Sequence, residues 1–121
     1  KRILLLFRIM KEDTGMFKIN KSEIHMTRGD SAQFTVNLVF SNGIQYTMED
    51  TDQLRFSMKQ ERADELSLQK TITGTATFNL VPADTNQLEY GRYKYDIQLL
   101  RGEEVYTVVP YADLFLEKEV G

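Results

Sequence analysis

Side chains able to do chemistry are few in this chain, and they do not form any of the usual catalytic sets. The single histidine, His25, lies in an alternating stretch in which Ile24 and Met26 point to the opposite face. A general base or a metal ligand needs polar partners at a fixed distance, and no spacing around His25 supplies them. We therefore interpret His25 as a surface residue of a strand.

An acidic run, Glu49-Asp50-Thr51-Asp52, offers carboxylates to a cation such as Ca²⁺. A calcium loop also needs a central glycine and a distal glutamate, which this run lacks, so we expect a solvated acidic loop. No serine lies in a nucleophile elbow, and Thr73-Gly74-Thr75 lacks the Gly-Lys-Ser/Thr ending of a phosphate loop. A carboxylate pair for glycoside hydrolysis stays open, because the 18 acidic residues offer many pairs and the sequence singles out none.

One tetrapeptide, Arg28-Gly29-Asp30-Ser31, matches the sequence that integrins read on exposed loops. Four residues carry little information, and glycine and aspartate are ordinary turn residues. We expect a turn here, between a strand over 23–27 and a strand that starts near Ser31.

Composition removes several classes of function. The chain has 121 residues, a formal net charge of −3, one histidine, and no cysteine or tryptophan. Disulfide scaffolds, thiol nucleophiles and cysteine-type zinc sites are therefore excluded, and no cofactor is indicated. The acidic balance argues against a nucleic-acid or anionic-membrane surface, whose electrostatic footprint is basic. The length fits one domain, and we do not expect an enzyme.

Apolar side chains alternate with polar ones through most of the chain, which is typical of half-buried antiparallel strands. The apolar members are, in chain order, Phe34, Val36, Leu38 and Phe40; Leu54, Phe56 and Met58; Ala76, Phe78 and Leu80; and Tyr93, Tyr95, Ile97 and Leu99. Seven to eight short strands with regular turns predict an all-β, antiparallel, immunoglobulin-like β-sandwich that has no disulfide.

Turn residues punctuate these strands. Asn42-Gly43 is a strong hairpin signal and predicts a return strand over 44–48. Arg101-Gly102 predicts a second hairpin near the C-terminus, and Gly74 separates two further strands. The one helical turn expected in the chain runs from Pro82 to Leu88, with Asp84 or Thr85 as its cap.

Tyrosines gather in the last third of the chain. Tyr93, which follows the helical turn by a few residues, is a candidate for the corner tyrosine of immunoglobulin-type sandwiches, and Tyr95 stands where such domains carry a core cysteine. A second interpretation uses exposed tyrosines as a ligand face, with Tyr46, Tyr90 and Tyr111 as its candidates.

Residues 1–15 form a basic, densely apolar arm that we separate from a domain over residues 16–121. The arm is too short for a transmembrane helix and lacks the cleavage site of a signal peptide; it could be a translated leader if the natural start is Met16. An apolar extended segment of this kind can add a strand to a sheet edge in its own domain or in another copy, in preference to a docked helix. The candidate assembly contacts are Ile3, Leu4, Leu5, Leu6, Phe7 and Ile9.

Several short motifs recur together in one known group of proteins. They include Thr27-Arg28-Gly29-Asp30, Leu54-Arg55-Phe56-Ser57-Met58-Lys59, Leu80-Val81-Pro82-Ala83-Asp84-Thr85 and, most specific, Gly91-Arg92-Tyr93-Lys94-Tyr95-Asp96-Ile97-Gln98-Leu99. From Met16 to Leu116 the chain resembles the N-terminal domain of upper baseplate proteins of tailed bacteriophages of Firmicutes, and related small prophage proteins.

The resemblance implies an immunoglobulin-like sandwich that docks onto a virion structure and has no catalytic residues. We therefore expect a non-enzymatic structural or adaptor module of a phage or prophage particle, located in the virion or in the host cytoplasm during assembly. Its partners would be other virion proteins or copies of itself. The alternative is a carbohydrate-binding or adhesion-type sandwich that uses the exposed tyrosines.

Overall fold

The computed structural model describes residues 6–11, 18–20, 22–39 and 44–118, with side chains from Ser22 onward except at Val39. These residues form nine strands and one short helix, which lies between the seventh and eighth strands. The elements are β1 (Leu6–Lys11), β2 (Lys18–Asn20), β3 (Glu23–Thr27), β4 (Ala32–Val39), β5 (Gln53–Gln60), β6 (Leu68–Thr73), β7 (Thr77–Leu80), α1 (Pro82–Thr85), β8 (Gly91–Arg101) and β9 (Glu104–Glu117).

The strands form two sheets, one in the order β1-β4-β7 and one in the order β2-β3-β9-β8-β5-β6. Strands β5, β8 and β9 share the large sheet while β4 and β7 share the small one, which is the division of the C, F and G strands from the B and E strands in immunoglobulin-type sandwiches. The prediction of an all-β sandwich is confirmed. All described strand pairs are antiparallel except β3 with β9, which pair in parallel; β3 lies between β9 and its antiparallel neighbour β2.

The core is made by aromatic rings that face each other across the two sheets. Phe34 and Phe78 of the small sheet stack with their ring centroids 5.4 Å apart, and both rings lie 6.0 Å from that of Phe56 in the large sheet. Tyr95 stacks on the other side of Phe56, at 5.3 Å. These four side chains are at most 1% exposed, and complete burial of each large apolar side chain contributes about 1.5–3 kcal/mol. Close packing of these rings substitutes for the missing disulfide.

Strand β1 is an edge strand of the small sheet. Its backbone pairs antiparallel with β4, from Leu6 opposite Val39 to Lys11 opposite Phe34. Of the candidate assembly contacts, Ile3, Leu4 and Leu5 lie outside the described residues, whereas Leu6, Phe7 and Ile9 are described by their backbone, which is paired within the chain.

The hairpin between β8 and β9 has a two-residue turn, since Arg101 pairs with Glu104. Gly102 sits there at φ +60°, a left-handed conformation that most other residues adopt only at a cost. The β8–β9 ladder shifts register twice, near Val109. Pro110 lies within this irregular stretch, where its lack of an N–H group is tolerated.

The expected return strand over 44–48 is reduced to one isolated bridge at Gln45. The N–H of Tyr46 bonds Leu38 O at 2.8 Å, but the segment then leaves the sheet toward Asp52. Asn42-Gly43 lies outside the described residues. In the part of the chain that the structure describes, no helix has the length and apolar character to cross a membrane.

Candidate functional site

Two polar side chains stabilise the turn around α1: Tyr93, the candidate corner tyrosine, and Asp84, a candidate helix cap. Tyr93 Oη donates to Glu89 O at 2.7 Å, four residues upstream, which is the geometry of a tyrosine corner. Asp84 Oδ2 accepts the Val81 N–H at 2.8 Å and so caps the helix. Thr85 does not cap the helix, because its Oγ1 is buried and accepts the Gly29 N–H at 2.8 Å.

The side chain of Arg28 binds the segment that forms this same corner. Its guanidinium donates to Leu88 O at 3.1 Å and to Tyr90 Oη at 2.8 Å, and its Cζ lies 4.1 Å from the centroid of the Tyr90 ring. Gly29 and Asp30 turn the chain after β3, with the Asp30 N–H bonded to Thr27 O at 3.1 Å. The tetrapeptide at Arg28 is therefore a structural turn whose arginine fastens β3 to the segment before β8.

His25 is not an isolated surface residue, because two carboxylates bracket it. Its Nε2 lies 2.6 Å from Glu23 Oε2, its Nδ1 lies 3.2 Å from Glu117 Oε2, and its ring stacks on Phe115 at 4.6 Å. The hydrogen bond with Glu23, and secondly that with Glu117, raises the pKa of His25 above 6.5 although partial burial opposes the shift. The protonated ring can therefore donate from Nδ1 to Glu117 on β9 while its Nε2 donates to Glu23 on its own strand, so the link between β3 and β9 runs through Nδ1.

Asp52 corrects the expectation that residues 49–52 form a wholly solvated loop. Its carboxylate is 1% exposed, accepts the Tyr46 hydroxyl, and accepts the Glu49 N–H at 3.0 Å. Burial and this bond to Asp52 raise the pKa of Tyr46 to about 12. The pair anchors the loop to the core, which is why Tyr46 is only 7% exposed and does not belong to a ligand face.

The two remaining candidates for an aromatic ligand face do not lie together. Tyr90 is 41% exposed beside Arg28, whereas Tyr111 is 61% exposed on β9, with its ring centroid 4.9 Å from Lys94 Nζ. Gly91 pairs with Leu116, which puts Tyr90 level with Glu117, so Tyr90 and Tyr111 stand about six strand positions apart, or about 20 Å. No continuous row of these three tyrosines exists.

Two depressions lie away from the corner. One is a groove of about 390 Å³ between β4, the segment Gln45–Met48 and the segment Gly74–Ala76. Tyr46 is the ionisable group among its described lining residues, and its hydroxyl is bound to Asp52. The other is a shallow cleft of about 80 Å³ between Leu66 and Tyr111. Across the described ranges, no three histidine, aspartate or glutamate side chains are grouped to hold a metal ion.

The feature best suited to recognition is one edge of the large sheet. Strand β6 is one of the two terminal strands of this sheet, β2 being the other, and it pairs with β5 from Leu68 opposite Met58 to Thr73 opposite Gln53. On its other side, none of the described residues forms a further strand. Gln69, Thr71 and Thr73 are exposed, while Leu68 and Ile72 pack against the core.

The direction of the backbone groups on β6 follows from its last hydrogen bond. The Gly74 N–H donates to Asp52 O at 2.8 Å, toward the β5 side. Because successive residues of a strand direct their N–H and C=O groups to opposite sides, those of Thr73 and Thr71 point outward. Sequence reasoning missed this edge, because its exposure depends on which strands occupy each sheet.

The one lysine of β6 does not guard that edge. Lys70 Nζ donates to Asp84 Oδ2 and to Asn79 O, both at 2.8 Å, so its charge is directed across to α1 and β7. Edge strands of natural sheets are commonly protected by charged side chains or prolines. The exposed side chains of β6 are neutral, and no described residue occupies the outer side of its backbone, where a further strand could be added.

No family model matches this chain, and no curated protein matches it significantly.

Proposed function

We propose that this protein is a non-enzymatic structural or adaptor module of a phage or prophage particle that acts by docking to other proteins. One observation supports the docking role: the aromatic rings that join the two sheets are buried, while no strand of the described residues pairs with the outer side of the six-residue strand β6. An open strand edge is a ready template for pairing with another chain.

The proposal that the protein belongs to a phage or prophage particle is based on the resemblance to baseplate N-terminal domains. It rests on the stretch from Gly91 to Leu99. In the structure this stretch builds the corner at Tyr93 and places Tyr95 against Phe56. The motif thus contributes to the core of the sandwich, and the fold it implies agrees with the fold described above.

The carbohydrate-binding alternative is less well supported. It needs neighbouring solvent-facing rings that stack on a sugar, whereas Tyr46 is buried and Tyr90 is stacked under Arg28. Tyr111 alone presents a widely exposed ring. A single ring shared with Lys94 is a weak platform for a saccharide.

Purified particles test the proposal directly. The chain, carrying a small tag, is expressed in the strain that encodes it, prophage particles are induced, and they are separated on a density gradient. We expect the tag to sediment with the particles and immunogold labelling to place it at one position on them. A tagged Phe56→Ala variant, with a disrupted core, should stay at the top of the gradient. Recovery of the intact protein at the top as well would contradict the particle role.

A further inference from the structure

We propose that the β6 edge binds an extended strand of a different protein, one with neutral residues in its centre and Lys or Arg at both ends. This inference rests on the proposed docking role and names the surface and the kind of partner. The extended shape and neutral centre of the partner strand are inferred from the backbone and side chains of β6. Its basic ends are inferred from the charges at the two ends of β6.

The backbone requires an extended partner. The outward N–H and C=O groups of Thr71 and Thr73 can be satisfied in full by another strand at the ordinary spacing of about 4.8 Å. Their side chains and that of Gln69 lie on the exposed face of the sheet and are uncharged. A partner strand rich in Thr or Val would pair with them without leaving a charge unmatched.

Both ends of β6 are acidic. At its start lies the loop 61–65, which has three acidic residues against one arginine: Asp64, Glu65 and Arg62 are exposed, and Glu61 is already paired with Arg92. At its end lies the loop that precedes β5, where Glu49 and Asp50 are exposed.

The second loop is close to β6 in the structure. A Cβ placed on Gly74, the residue after β6, would lie 3.2 Å from Asp50 O. Glu49 Oε2 forms a long ion pair with Arg101 Nη2, at 3.8 Å, whereas Asp50 has no ion pair among the described residues. A strand lying on β6 therefore passes between two negative loops, and basic residues at its two ends match both.

A second copy is a poorer occupant of this edge. In an antiparallel pair of β6 strands related by a two-fold axis, the start of one strand meets the end of the other. The Asp64 and Glu65 of one copy would then approach the Glu49 and Asp50 of the other. Like charges facing each other across an interface disfavour association. The charge distribution therefore disfavours pairing of β6 with the β6 of a second copy and favours a strand with basic ends.

The test uses two synthetic, fluorescently labelled nonapeptides and the full chain. The first is Lys-Arg-Thr-Val-Thr-Val-Thr-Arg-Lys, and its matched control carries Glu at the four basic positions. We expect the basic peptide to bind in anisotropy titrations at least tenfold more tightly than the control. The preference should fall steeply between low salt and 1 M salt, because the Debye length shortens from about 30 Å at 0.01 M to about 3 Å at 1 M. In exchange measurements by NMR, the Thr71 and Thr73 amides should become protected.

Two variants locate the site. Thr71→Pro removes an outward N–H that bonds nothing on β5, a position where an edge strand tolerates proline. It should weaken binding about tenfold, because one backbone hydrogen bond is lost and the ring blocks the approach. Thr71→Val keeps the N–H and should bind like the original chain. Asp64→Asn combined with Glu65→Gln should lower the affinity and its salt dependence while leaving the edge intact.

Three results would overturn the proposal: equal binding of both peptides, equal binding by Thr71→Pro and Thr71→Val, or protection of amides outside β6. A fourth result would also overturn it: if the chain self-associates and Thr71→Pro abolishes that association, the β6 edge binds a second copy and not a different protein. These outcomes are separate from the particle experiment, because the chain can sediment with particles through another surface, and β6 can bind a basic strand in a chain that belongs to no particle.

Discussion

Replacing Tyr93 with phenylalanine tests whether the corner hydrogen bond stabilises the sandwich. The ring of Tyr93 is 1% exposed and belongs to the core, and phenylalanine keeps that packing. The substitution removes only the hydroxyl, which donates to Glu89 O at 2.7 Å. The measured change in the free energy of unfolding therefore reports on the hydrogen bonds of this hydroxyl, mainly the one to Glu89 O with a side-chain contribution from Gln60, rather than on a cavity.

The expected loss is about 1 kcal/mol, the usual net value of an intramolecular hydrogen bond. A larger loss would follow if the abandoned carbonyl were sealed from water, but Glu89 is an exposed residue and solvent can reach it. For a domain of this size, a change of that magnitude lowers the melting temperature by about 4 °C.

Urea titration monitored by circular dichroism, together with thermal melting at pH 7, provides the assay. Tyr111→Phe is the matched control, since Tyr111 is 61% exposed on the sheet face and its loss of a hydroxyl should change stability by less than about 0.5 kcal/mol. A Tyr93→Phe chain as stable as the control would refute the argument that the corner bond contributes to folding.

Three further substitutions address the core, the buried carboxylate and the histidine cluster. Phe56→Ala should lower the free energy of unfolding by about 3–5 kcal/mol in urea titrations, because the ring contacts aromatic neighbours in both sheets; a loss below about 1 kcal/mol would contradict this packing. Asp52→Asn should cost about 1–3 kcal/mol, and a double-mutant cycle with Tyr46→Phe should give a coupling of about 0.5–3 kcal/mol, whereas additive losses would show that the two side chains act independently. The folded-state pKa of His25 is raised above 6.5, so its stabilising contribution is complete below pH 6.5 and is lost as pH rises through the higher folded value. Unfolding free energies measured across this range should fall with pH in the original chain and fall less in His25→Gln or Glu23→Gln, and identical pH profiles would exclude the link.

Several elements could be read from the sequence because their cause is local. Alternation of apolar side chains predicted β4, β5, β7 and β8 within one or two residues, since each strand has one face on the core. The two-residue turn at Gly102 and the bond from Tyr93 to Glu89 also join residues close in sequence. The helical turn was placed correctly at its start, although it ends at Thr85 and not at Leu88.

Other features depended on pairings that no local pattern encodes. The return strand over 44–48 was wrong beyond the single bridge at Gln45: the Tyr46 N–H still donates to Leu38 O, whereas the Tyr46 hydroxyl donates to Asp52, a buried residue in a run whose composition predicts a solvated loop. His25 and Glu117 are separated by 92 positions and meet only because β3 lies parallel beside β9.

The sequence by itself determined an all-β sandwich with an aromatic core, because periodicity and turn chemistry are properties of neighbouring residues. Only the tertiary structure decided that β6 and β7, adjacent in the chain, belong to different sheets. That division leaves β6 as an edge and turns Lys70 away from it toward Asp84. The physical reason is that sheet order is set by long-range backbone pairing, and the exposure of an edge, with the partner it can bind, exists only after every other strand has found its neighbour.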